Sequence, residues 1–136
     1  MNWNIRPLGH FVRSARWALC SVLATASLAA QAHPHVGKVI ECSLAGYTIR
    51  MEMLSERTLR WTYLQAPTAA EKGQSAIETI DHVVLRDDLL LAAWTEKSGT
   101  QVVDVFDFGQ RRVVANFVMP DGKRYLSQAN FTLQKP

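Results

Sequence analysis

The sequence predicts an all-β fold, an eight-stranded antiparallel up-and-down barrel that follows an N-terminal secretory signal. Three observations predict it. Apolar and polar residues alternate over most of the chain after residue 36, the period of a pleated, half-buried strand. Turn residues punctuate that alternation every ~8–12 residues, the spacing of sandwiches and barrels. No segment repeats apolar residues at i, i+3, i+4 and i+7 between helix caps, so no long amphipathic helix is expected.

The N-terminal segment comes first. Arg6, Arg13 and Arg16 stand in residues 1–16 without an acidic residue, and an apolar or small run follows from Trp17 to Ala30. Ala30-Gln31-Ala32 fits a small-residue cleavage site, and the three parts together read as a secretory signal peptide. The apolar run is shorter than the roughly 20 residues that span a bilayer, which argues against a membrane anchor. The domains expected are 1–32 as signal and 33–136 as barrel, in a periplasmic or secreted protein with no membrane partner after cleavage.

Cleavage would change the charge balance. The chain has 15 basic and 12 acidic residues; the three arginines leave with the signal, so 12 face 12 in the mature part. A neutral domain without a Lys/Arg stripe argues against nucleic acid as a partner. Cys20 lies in the apolar run, where Trp17-Ala18-Leu19 is not a lipobox, and Cys42 is then alone. No internal disulfide is expected. A lone Cys42 fits a small buried apolar side chain better than a reactive thiol or an intermolecular bridge.

The mature chain opens on His33-Pro34-His35. Two imidazoles and a free amine suit Cu²⁺ or Zn²⁺, with His82 as a third imidazole ligand. The alternative, which the composition favours, is a frayed terminus with solvated histidines. Strands are then expected at 36–42, 47–53, 57–65, 76–85, 89–96, 100–108, 111–119 and 124–133. Within 47–53, Tyr47, Ile49, Met51 and Met53 share a face; within 57–65, Leu59, Trp61 and Tyr63 do. Residues 67–75 form the one long loop, with room for a single helical turn at 67–72. Lys97-Ser98-Gly99 is a hairpin loop in which Gly99 supplies φ > 0, and Pro120-Asp121-Gly122-Lys123 is a turn. Short loops between successive strands favour a meander, and eight strands in a meander close into a barrel that can hold one small ligand.

The central hairpin carries a family resemblance. Trp94-x-Glu96-x-x-Gly99-x-x-Val102, with Asp107-Phe108 further on, resembles the MoaF-like family of small calycin-type, lipocalin-like barrels. The resemblance spans about residues 46–133. It is specific at 94–108 and at the Pro120-Asp121-Gly122 turn. It departs at Ser127-Gln128-Ala129, where such chains commonly carry glycine. The family's name implies a link to molybdenum cofactor synthesis; that chemistry is cytoplasmic and is not carried over to an exported chain. Trp94-Thr95-Glu96-x-x-Gly99-Thr100 also resembles phenolic acid decarboxylases. In that family tyrosines, an arginine and a glutamate on early strands act on the substrate. By strand position this implies Arg60 and Glu78 here, although the residues around them do not match.

Barrel strands send alternate residues inward, so a ligand would meet one parity of each. The ligand-binding candidates are Trp61, Tyr63, Trp94, Glu96, Phe106 and Phe117. Trp94 and Glu96 share a parity. They serve either as core and turn brace or at the mouth of a cavity. Three functions are expected in order: interior binding of a small apolar or aromatic molecule, non-oxidative decarboxylation of a phenolic acid through Arg60 and Glu78, and metal handling through His33, His35 and His82. No Ser-His-Asp set, phosphate loop, CxxC or HExxH is present, so an enzyme is the weaker reading. Cofactor, ligand identity and oligomeric state are not legible.

Overall fold

A computed structural model describes residues 33–135. Nine strands follow in chain order: β1 (Val39–Leu44), β2 (Tyr47–Ser55), β3 (Thr58–Gln65), β4 (Ser75–Thr79), β5 (Asp81–Arg86), β6 (Leu89–Thr95), β7 (Gln101–Asp107), β8 (Arg112–Val118) and β9 (Arg124–Gln134). They hydrogen-bond in the order β4-β3-β2-β1-β9-β8-β7-β6-β5, and every pair is antiparallel. The expected signal lies outside the described residues.

The strand expected at 76–85 is the source of the ninth. It is cut at Ile80: β4 pairs with β3, whereas β5 pairs with β6. The Ile80 N–H leaves both ladders and donates to the Arg57 carbonyl at 2.9 Å, with the side chain 2% exposed. One strand therefore runs from one edge of the sheet to the other and closes the barrel by chain continuity, with β4 alongside β6 but not laddered to it. Such bends are how a strand changes sheets. β9 makes the opposite corner. Its first part pairs with β8 and its last residues, Phe131–Gln134, pair with β1. It does so with Ser127-Gln128-Ala129 in place of glycine.

The first strand also starts later than expected. Gly37 takes φ 81°, and the Lys38 N–H donates to the His35 carbonyl, so residues 34–37 form a turn and β1 begins at Val39. The hairpin turns follow their chemistry. Ala45 (φ 52°) and Gly46 (φ 88°) form a two-residue loop between paired Leu44 and Tyr47, with both central residues at positive φ as a type I′ turn requires. Gly99 lies at φ 88° and Gly122 at φ 83°.

The inward parity is well defined. Ile40, Cys42, Leu44, Ile49, Met51, Leu59, Leu90, Ala92, Trp94, Val102, Phe106, Val113, Ala115 and Phe131 are buried together. Cys42 is one of them, free, with burial pushing its thiol up to about 11, which fits an inert packing role. The outer parity carries charge. Arg50 pairs with Glu41 directly across the β1–β2 ladder at 2.6 Å, and Arg60 with Glu52 across β2–β3 at 3.4 Å. Oppositely charged cross-strand pairs favour that register and leave the interior to the alternate residues.

Candidate functional site

The end of the barrel formed by the β1–β2, β3–β4, β6–β7 and β8–β9 connections is open. A cavity of about 410 Å³ enters there, lined by Leu44, Ala45, Tyr47, Ile49, Tyr63, Glu96, Thr100, Phe117, Met119 and Tyr125. Ile49, Tyr63, Glu96 and Phe117 also wall a smaller void of about 20 Å³, together with Met51, Trp61, Trp94 and Asp104. The two spaces share walls, so they form one site with an outer chamber and a floor.

Local structure fixes each wall. The β6–β7 hairpin closes through Glu96 N–H to Thr100 C=O at 2.9 Å and Gly99 N–H to Glu96 C=O at 2.8 Å. Its register sets Trp94 opposite Val102 and Ala92 opposite Asp104, and β8 sets Ala115 on the other flank of Asp104. Two alanine side chains beside an aspartate leave room that larger residues would fill. On the far wall Tyr47 and Tyr63 lie with ring centroids 4.5 Å apart, and Tyr63 and Trp61 4.7 Å apart. The expected helical turn is present in the β3–β4 loop, where the Lys72 N–H reaches the Thr68 carbonyl at 3.3 Å. It carries Glu71 to the Tyr47 hydroxyl, which donates to it at 2.9 Å.

The ionisable side chains that set the charge of the site are carboxylic acids. The Trp61 indole N–H donates to Glu78 at 3.1 Å. Glu96 accepts from the Ser98 hydroxyl at 3.2 Å, and burial holds its carboxyl above the usual range against that hydrogen bond, with Glu78 adding to the rise. Asp104 is fully buried. Neither of its carboxyl oxygens, nor the Trp94 indole N–H, has a hydrogen-bond partner among the described residues. Burial first, then the nearby Glu96, pushes the Asp104 carboxyl up to about 8. Burial likewise raises the Tyr63 phenol to about 12. Among the described residues no Lys, Arg or His lines either space.

Five of the six ligand candidates, Trp61, Tyr63, Trp94, Glu96 and Phe117, stand on the walls of this site. Phe106 does not; it is wholly buried in the packed core against Phe108, at 6.3 Å between centroids. Arg60 faces outward against Glu52, so it presents no cation to the cavity. Glu78 does face inward, tied to Trp61. Asp104 was not among the candidates although it is the most buried acid. Its signal lay in hairpin parity: a loop that sets Glu96 opposite Thr100 also turns Asp104 inward.

His33, His35 and His82 gather at the other end. His33 lies 5.0 Å from His35 and 4.7 Å from His82 between ring centroids, and His35 stacks on Phe108 at 4.7 Å. His35 is 1% exposed, which overturns the expectation of a frayed, solvated terminus. Burial is the main cause that lowers its pKa to about 4, aided by His33, Lys38 and His82. Among the described residues no group of three or more His, Cys, Asp or Glu is arranged to hold a metal ion. The cluster packs this end of the barrel instead.

Fold and site together define a calycin-type barrel, an antiparallel meander closed around an interior cavity. Residues 36–132 match the MoaF-like family, and the chain belongs to it. No curated protein matches the chain. A solved structure from Burkholderia vietnamiensis, described as a candidate β-lactamase, is similar with a TM-score of 0.67 and 19% identity. The similarity covers 76% of this chain and 99% of that one. At that identity the likeness extends to the fold alone.

Proposed function

We propose that this protein is an exported carrier or receptor that binds a small apolar or aromatic molecule inside its barrel. The observation that supports the reading is the open cavity of about 410 Å³ walled by Tyr47, Ile49, Tyr63, Phe117 and Met119, with Glu96 as its charged group. That volume falls in the range of roughly 300–1,000 Å³ in which apolar walls and a few polar groups hold small ligands. Decarboxylation of a phenolic acid is less well supported. It needs a cation for the substrate carboxylate beside a proton-transferring group, and Arg60 is paired with Glu52 on the outer face.

The test is native mass spectrometry of protein recovered from the periplasm. The polypeptide is expected to start at His33 and to carry an added mass of a few hundred daltons that leaves on denaturation. Bare polypeptide in every preparation, together with failure to take up aromatic compounds in vitro, would contradict the reading.

A further inference from the structure

The acids of the site form a descending series. Glu71 stands at the Tyr47 hydroxyl beside the outer chamber, Glu96 lines both spaces, and Asp104 lines the floor. The domain as a whole is balanced, with 12 basic and 12 acidic residues from 33 onward, yet among the described residues no basic side chain lines either space. An anionic ligand would therefore meet acids and no compensating cation, at a cost that low-dielectric surroundings enlarge.

The floor has a size as well as a charge. At about 20 Å³ it holds one water-sized group, and a primary ammonium is that size. Its three N–H donors match a carboxylate with both oxygens unpartnered, Asp104, and a second at Glu96. The rings of Trp61, Tyr63, Trp94 and Phe117 also border the floor, and ring faces attract a cation. Unpaired, the buried Asp104 keeps its proton, because a bare buried carboxylate is costly; an ammonium on the floor is the partner that would let it ionise.

We propose that the cavity is an amine site, taking a molecule with an aromatic or apolar body in the outer chamber and a protonated primary amine on the floor against Asp104 and Glu96. The inference rests on the interior-ligand reading above and adds the ligand's head group to it.

Three probes of one shape test it, binding being followed by calorimetry or tryptophan fluorescence: phenethylamine, 2-phenylethanol and 3-phenylpropanoate. Phenethylamine is expected to bind at least about tenfold tighter than either other probe, as a charge-assisted bond replaces a neutral or repulsive one. In the double variant Asp104→Asn/Glu96→Gln that preference should vanish while 2-phenylethanol still binds, which also reports that the variant is folded. Equal binding of the three probes to the wild type, tighter binding of the carboxylate, or an amine preference that survives the double variant overturns the amine site and leaves the interior-ligand reading standing. Failure of all three to bind at millimolar concentration overturns both. The wild-type ranking decides even if the variant does not fold.

Discussion

Asp104 holds a carboxyl group between Ala92 and Ala115 without a hydrogen bond to its oxygens. Its pKa of about 8, against 3.8 for an unperturbed Asp, has a consequence for stability. Below about pH 4 the folded and unfolded chains both hold this proton. Between about pH 4 and 8 the unfolded chain releases it and the folded one keeps it, so stability falls as pH rises, by up to about 1.4 kcal/mol per pH unit. His35 acts in the opposite sense. Its pKa is lowered from 6.5 to about 4, so its contribution is lost as pH falls through that window. The two slopes oppose each other from about pH 4 to 6.5, and Asp104 acts alone from about 6.5 to 8. Wild-type stability in urea unfolding is therefore expected to drop between pH 6.5 and 8. Asp104→Asn should remove that drop, and the variant should exceed the wild type by a few kcal/mol at pH 8.5, on the order of the linkage just given. A wild type and variant with parallel profiles across that range would show that Asp104 ionises freely. The groups that face Asp104 are Glu96 from the β6–β7 turn, Cys42 from β1 and Tyr63 from β3, and none of them is a cation that would cancel the effect.

At the scale of elements, the β6–β7 hairpin sets the geometry of the site. Gly99 lies at φ 88°, and a Cβ added there would meet the Pro120 ring at an ordinary 3.5 Å. The cost of Gly99→Ala is thus one of backbone conformation, about 1 kcal/mol or more. Trp94 is 7% exposed, so Trp94→Ala should cost roughly 3–5 kcal/mol, a large share of the ~5–15 kcal/mol typical of a whole domain. Trp94→Phe keeps most of the packing but removes an indole N–H that has no partner among the described residues. A small stability loss with a larger loss of ligand affinity in Trp94→Phe is the expected pattern. Equal small losses would make Trp94 core only. Thermal unfolding and probe titration of the same three variants measure both quantities. This hairpin was legible in sequence because its turn glycine and its alternation agree. Asp104 was less so: on β7 Val102 and Phe106 share its parity while Val103 and Val105 take the other, so neither face of the strand reads as polar. Arg60 was legible in part. Its parity, opposite to Leu59, Trp61 and Tyr63, already puts it outside; what the sequence does not show is its partner there, Glu52 on the neighbouring strand, because pairing partners are a tertiary fact.

At the scale of the molecule, the meander follows from the short turns, while its closure does not. The segment 76–85 reads as one continuous strand, and only the burial of Ile80 between two ladders divides it. The same holds for the histidine end. His33 and His35 are far in sequence from His82 and Phe108, and the fold brings them together, so one end of the barrel is packed and the other stays open. The cavity is thus a property of the closed barrel, and an interior ligand is the central claim. A nitrogen–proton correlation NMR titration of the full domain with 2-phenylethanol tests it most directly. Shifts are expected to concentrate at Ile49, Tyr63, Glu96, Thr100 and Phe117, which wall the cavity, and to spare the outer face. Saturable shifts confined to the exposed apolar strip Val83, Val84 and Leu85 of β5, or no shifts at millimolar probe, would contradict it.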